Sequence, residues 1–208
     1  MPGPEKGAVS HNSPTWKRRL HGGDPEGSVW SPAMVDIPLR GYRGHNWFYK
    51  VGQDHIVYPP EVLLKKYLTS AGRNSNLLIG AVIQPDGTLP ETDVKSLAGF
   101  GRLLRERFGK PIASIADQEG DTVTLELPRP GEIDCVVLQE RIAEGERVRD
   151  HVVEGFVNDA WVPLAQGKVI GHKWIHTFKP QTLQRLRLKV ASSLAPPRIR
   201  SFSCYRNG

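Results

Sequence analysis

A chain of 208 residues, 38% hydrophobic and 24% charged, has room for one large or two small domains and the composition of a packed globular protein, which excludes a disordered or repetitive chain. Its 21 glycines and 17 prolines require many turns and argue against a helix bundle. The net charge of +6 comes from scattered basic residues without a recognition-helix, zinc-finger or RNA-binding signature, so nucleic acid is not an expected partner.

Residues 1–21 are polar, with Pro2, Pro4 and Pro14, and read as a disordered N-terminal segment. They hold no apolar core of a secretion leader. No run approaches the roughly 18 apolar residues of a membrane span. A cytoplasmic chain without a membrane partner is therefore the default expectation, although a parent enzyme could be secreted or periplasmic.

Residues 22–58 are rich in glycine and aromatics, and only residues 35–39 alternate like a strand. Pro59 and Pro60 suit the start of a helix over 59–71, with Val62, Leu63, Tyr67 and Leu68 on one stripe and Gly72 at its end. The continuous apolar run at 76–83 predicts a strand buried on both faces. Pro85-Asp86-Gly87 is a turn. Thr88 and Glu91 have capping-box spacing before a second helix over 91–108, whose expected buried stripe is Val94, Leu97, Gly101, Leu104 and Phe108. Helix, buried strand, helix is a piece of an α/β domain with parallel strands. These elements are too few to close a barrel.

After Pro111 the pattern becomes short alternating runs at 122–127, 133–139, 148–157, 161–165, 174–178, 183–190 and 199–205. Turn residues such as Pro128, Gly145, Asn158-Asp159 and Pro196-Pro197 separate them. Seven such strands predict an antiparallel β-sandwich, with a boundary near 115. Arg185, Arg187 and Lys189 alternate with Leu186, Leu188 and Val190, as in a strand with one wet face. Cys135 and Cys204 could pair, but a buried free thiol suits Cys204 better. The seven histidines do not cluster in sequence, and His172 and His176 on a strand would not converge, so neither a metal nor a cofactor is expected. Trp161 and Trp174 read as sandwich core, with sugar stacking as the alternative.

Three groups of residues, in order, resemble the α-L-fucosidases of glycoside hydrolase family 29. The first is Trp30-Ser31-Pro32-Ala33-Met34-Val35-Asp36 with Asn46-Trp47-Phe48-Tyr49. The second is Gly72-Arg73-Asn74-Ser75-Asn76-Leu77-Leu78 with Pro85-Asp86-Gly87. The third is Val137-Leu138-Gln139-Glu140, Gly145-Glu146-Arg147-Val148 and Gly171-His172-Lys173. The resemblance implies an incomplete (β/α)8 barrel over 22–114 and a C-terminal β-sandwich over 115–208. A whole barrel takes roughly 250 residues.

Retaining glycosidases use a nucleophilic carboxylate and an acid/base carboxylate about 5–5.5 Å apart. By resemblance, the family's nucleophile lies on an earlier barrel strand without a counterpart here, and its acid/base glutamate aligns with Met34. A thioether cannot donate a proton. The expected catalytic set is therefore empty, with Asp36, two residues on, a weak substitute that more readily matches a structural aspartate. Trp47 is the expected remnant of the sugar pocket, with Trp30 beside it. Arg40 either pairs with a carboxylate in the site or is a solvated strand end, the latter favoured. The expected partners are a fucosylated glycan or other carbohydrate and a chain supplying the missing barrel. The alternative reading is a carbohydrate-binding or interaction module built on the sandwich.

Overall fold

The computed structural model describes residues 33–206. The expectations for residues 1–21 and for Trp30 lie outside the described residues. Within them the chain divides into two units, one built from Met34–Gly72 and Asn76–Lys110, the other from Arg73–Ser75 and the chain from Pro111 onward.

The first unit contains β1 (Ala33–Pro38), a 3-10 turn (Asp54–Ile56), α1 (Pro60–Thr69), β2 (Ser75–Gly80) and α2 (Glu91–Phe108). β1 and β2 form a two-stranded sheet. The Leu39 N–H donates to Gly80 O at 2.8 Å, which sets the C-terminal ends of the two strands side by side, as in a parallel pair joined through a helix. α1 opens at Pro60, where the missing N–H costs nothing.

Three local expectations change here. α2 is capped at Pro90 without a side-chain cap, because the Thr88 hydroxyl turns back to Asp86 Oδ1 at 2.8 Å and is not available for a capping box. Its buried positions are Asp93 and Ser96, while Val94 is exposed, so the inward stripe is rotated by about one residue and is polar at its start. β2 alternates between half-buried and exposed positions and is not covered on both faces, with Leu78 exposed.

The second unit is one antiparallel sheet of β3 (Ala113–Glu119), β4 (Thr122–Glu140), β5 (Val148–Val157), β6 (Ala160–Gly167), β7 (Trp174–Ser193) and β8 (Arg198–Tyr205), in the order β3-β8-β4-β7-β5-β6. Two pairs of expected short strands are single long ones. The runs at 122–127 and 133–139 are both β4, and those at 174–178 and 183–190 are both β7. Pro128 and Pro130 cannot donate to the ladder, and the β4–β7 register breaks between Glu126 and Gly131.

The first half of β4 pairs the second half of β7, which continues to β5 and β6. The second half of β4 pairs both β8 and the first half of β7, and β8 continues to β3. Val123 and Leu125 from one half share a single core with Val136, Leu138 and Phe202 from the other. The sheet thus doubles over that core into two layers, which is how it makes a sandwich. β3 was not expected, since its sequence Ala-Ser-Ile-Ala-Asp-Gln-Glu has little apolar alternation.

The Asn158-Asp159 turn has φ of 48° and 62°, the left-handed pair that joins β5 to β6 in a tight hairpin. Cys204 lies opposite Val136 and Cys135 opposite Tyr205. Successive side chains on β4 point to opposite faces, so the two buried thiols are on different sides of the sheet and form no disulfide. Leu186, Leu188 and Val190 are buried, and Arg185, Arg187 and Lys189 take the outer face, as the alternation predicts. Trp161 is only half-buried and lies under Arg187 (4.2 Å from guanidinium carbon to ring centre), so it is a surface cation–π partner and not core. Among the described residues no helix is long and apolar enough to cross a membrane.

Candidate functional site

Three of the residues singled out as site candidates lie on or beside β1, and a fourth on the loop that follows. Met34 is 61% exposed. Asp36, on the same face of the strand by alternation, is exposed and makes no hydrogen bond or ion pair among the described residues. Trp47 lies at the end of β2. A Cβ on Gly80 would come within 2.7 Å of the indole, so the glycine is what lets the ring lie there. The Trp47 Nε1–H donates to His45 Nε2 at 3.0 Å, and the two rings meet edge to face. Trp47 keeps 39% of its surface exposed, and Phe48 beside it keeps 80%.

Arg40 is fully buried, contrary to the expectation of a solvated strand end. Its Nη2 donates to Asp93 Oδ1 at 2.8 Å and to Asp54 Oδ1 at 2.9 Å, and Nε reaches Asp93 Oδ2 at 3.4 Å. Burial alone would lower its pKa. The bonds and charges of the two aspartates outweigh that and raise it, so the cation is locked in. Arg40 O also accepts the Asn46 N–H at 3.1 Å. One residue therefore ties the end of β1 to α2, to the 3-10 turn and to the loop that carries Trp47. What sequence reasoning missed was Asp93. The available signal was its place with Ser96 at i, i+3 spacing in the first turns of α2.

In the second unit, the residues of the fucosidase resemblance converge on one hydrogen-bond network. The buried Glu140 carboxylate accepts the N–H of Arg147 (2.9 Å), Val148 (3.0 Å) and Gly171 (2.7 Å). Burial pushes its pKa up, and the three N–H groups pull it back only in part. Asn74, in the left-handed region at φ 63°, donates from Nδ2 to Glu146 Oε2 at 2.6 Å and accepts the His172 N–H on Oδ1 at 2.7 Å. The Gln139 amide donates to His172 O at 3.0 Å. Arg73 stacks on Trp174 and donates to Ile175 O. The side chains of Glu140, Asn74, Glu146 and Gln139 are engaged within this network, which holds loops together, while the buried Trp174 Nε1–H has no partner among the described residues.

A second feature was not legible in the sequence. His151 and His176, 25 residues apart, face each other with Nε2 atoms 2.8 Å apart in the sandwich interior.

No family model matches the chain. A protein of Oryza sativa subsp. japonica, provisionally named α-L-fucosidase 1, is 24% identical over 234 residues, covering 95% of this chain and 43% of that protein. The Arabidopsis thaliana α-L-fucosidase 1 is 30% identical over 91 residues, 44% of this chain and 17% of that protein. Among solved structures, one provisionally assigned as an α-L-fucosidase from Bacteroides thetaiotaomicron VPI-5482 is 38% identical with a TM-score of 0.89, covering 92% of this chain and 44% of that one. A glycoside hydrolase family 29 member from an unknown rumen bacterium is 27% identical with a TM-score of 0.78, at 92% and 36% coverage. The chain spans less than half the length of each of these relatives. The resemblance read from the motifs thus holds over nearly the whole of this chain, which is similar over that length to part of the α-L-fucosidases of glycoside hydrolase family 29.

Proposed function

We propose that this chain is the C-terminal portion of an α-L-fucosidase-type glycoside hydrolase that does not hydrolyse fucosides by itself. In this reading β1, α1, β2 and α2 are closing elements of a (β/α)8 barrel, and the six-stranded unit is the sandwich that follows it. The exposed apolar side chains of Met34, Val35 and Leu78 favour it, because parallel strands are normally covered on both faces. Further polypeptide would supply the rest of the barrel and its covering surface.

The single observation that carries the inactivity is Met34 in the place of the acid/base glutamate, inside a motif that otherwise keeps Trp30, Pro32, Ala33 and Asp36. General acid–base help contributes about 10²–10⁴-fold, and a nucleophile is needed besides. Trp47, with Trp30, would offer its ring to the apolar edge of a fucosyl residue, and Arg40 would hold the loop that presents it. The test is purified chain with an aryl α-L-fucoside. No release above a heat-inactivated control is expected, and turnover by the chain alone would overturn the reading.

A further inference from the structure

His151 on β5 and His176 on β7 are both buried, with ring centroids 5.1 Å apart. The 2.8 Å separation of their Nε2 atoms requires a proton on one and a lone pair on the other. The assignment follows from the remaining contact. His151 Nδ1 is 3.1 Å from Lys168 O, a carbonyl that can only accept, so Nδ1 carries the proton. The Nε2 of neutral His151 is then the acceptor, and His176 Nε2–H is the donor.

The pair exists because Gly167 has no side chain. A Cβ there would lie 2.6 Å from His151 Cε1 and 3.3 Å from His176 Cε1. The contacts therefore fasten the end of β6, and the crossover that follows it, to the interior. That crossover contains Gly171, His172 and Lys173, the segment bonded to Glu140 and Asn74. The charged groups around the pair are few. Asp150 is next to His151 and is engaged by Lys168 at 2.7 Å, and Arg73 stacks over Trp174 beside His176. On β4 the register partner of His176 is Val136, which brings no charge.

We propose that His151 and His176 form a two-proton latch on the β6–β7 crossover, closed while at most one proton is added and opened when both rings are cationic. A first added proton goes to His176 Nδ1 and leaves the Nε2–H···Nε2 bond intact. A second must go to His151 Nε2, which then faces another N–H at hydrogen-bond distance. The bond is lost, and two buried cations repel with no carboxylate between them. Burial holds both rings below the usual histidine range, His176 at about 3, so the closed latch resists mild acid and the open segment takes up the protons.

The test is hydrogen exchange on the full chain between about pH 6 and pH 4, corrected for the intrinsic pH dependence of exchange. Opening of the segment at 167–173 is expected to rise about a hundredfold per pH unit, as two-proton linkage requires. In His176→Gln, whose amide N–H can still donate to His151, the rise is expected to fall to about tenfold per unit. Equal slopes in the two proteins, or a slope of tenfold or less in the unaltered chain, would overturn the latch. Should the variant not fold, nitrogen-15 imidazole spectra of the unaltered chain at neutral pH decide the matter. They are expected to show a protonated His151 Nδ1 and a protonated His176 Nε2, and a His151 protonated on Nε2 would equally overturn it.

Discussion

Glu140 and Gly171 bond to each other twice: the Glu140 backbone N–H donates to Gly171 O at 2.8 Å, and the Gly171 N–H donates to the Glu140 carboxylate at 2.7 Å. The same carboxylate takes the N–H groups of Arg147 and Val148, so one buried side chain closes two loops that are distant in sequence. Short runs that look like a family signature in sequence are here the parts of a structural joint.

Replacing Glu140 separates charge from hydrogen bonding. Glu140→Ala strips acceptors from three N–H groups, two of them on buried residues, and should cost about 3–5 kcal/mol. Glu140→Gln keeps one oxygen for the donors but turns an amide NH₂ toward them, and should cost less, about 1–3 kcal/mol. Urea unfolding checks the order. Equal losses would mean that the acceptor oxygens are not what matters.

Gly171 carries two constraints at once. Its φ of 59° disfavours any side chain, and a Cβ would run into the Asn74 amide. Gly171→Ala should therefore displace Asn74 from both Glu146 and the His172 N–H and destabilise by about 2–4 kcal/mol, more than the roughly 1 kcal/mol of a left-handed φ alone. In the Asn74→Ala background the clash is gone and only the φ cost should remain. A double-mutant cycle reads the difference.

Arg40 and Asp93 form a fully buried pair, whereas Asp54 is 59% exposed. Arg40→Met should cost about 3–5 kcal/mol, since it leaves the buried Asp93 carboxylate without its cation, and Asp93→Asn should cost less, since Arg40 keeps Asp54. Arg40→Met combined with Asp93→Asn should cost less than the sum of the two single losses. Asp54→Asn should cost no more than about 1 kcal/mol. Losses that simply add would show that the two side chains are not coupled. The tryptophan fluorescence of each variant also reports whether the loop bearing Trp47 follows the pair.

The sequence was legible where one period governed a segment. The alternation of Leu186, Leu188 and Val190 with Arg185, Arg187 and Lys189 predicted a half-buried strand, and that is what forms. It was less legible where strands run on through a bend, because Pro128 and Pro130 read as a turn between two strands when they mark a kink within one. It was not legible where partners come from distant segments. Arg40 and Asp93 are 53 residues apart, and a charged residue at a strand end looks solvated until its partner is known. His151 falls at an inward position of β5 only because the β5–β7 register slips between Val148 and His151, and no periodicity reports a bulge of that kind.

Stability should fall with acid, and the sign follows from His176. Its folded pKa, about 3, lies below the ordinary 6.5, so the unfolded chain binds the proton first. The contribution is complete above about pH 6.5 and is lost as pH falls toward 3, at about 1.4 kcal/mol per unit. Glu140 acts in the opposite sense. Its raised pKa makes the folded chain the tighter proton binder from just above its folded value down to the ordinary 4.5, which adds stability as pH falls through that window. Urea midpoints of the unaltered chain and His176→Gln, compared from pH 7 to pH 4, isolate the histidine. The gap between the two curves should change by several tenths of a kcal/mol or more per unit, and a constant gap would remove the assignment.

Met34 is exposed on β1, and the neighbouring Asp36 is exposed without a hydrogen-bond partner among the described residues, so neither position faces a second carboxylate there. Met34→Glu should therefore give this chain no fucosidase activity, because restoring one carboxylate does not create the second at about 5–5.5 Å. Mixed with a polypeptide that supplies the remaining barrel and its nucleophile, the same variant should exceed the unaltered chain by about 10²–10⁴-fold in aryl α-L-fucoside turnover. Asp36→Asn should leave that difference intact. If the unaltered chain were as active in the mixture as Met34→Glu, the proton would have to come from elsewhere. Loss of activity in Asp36→Asn would then identify the donor.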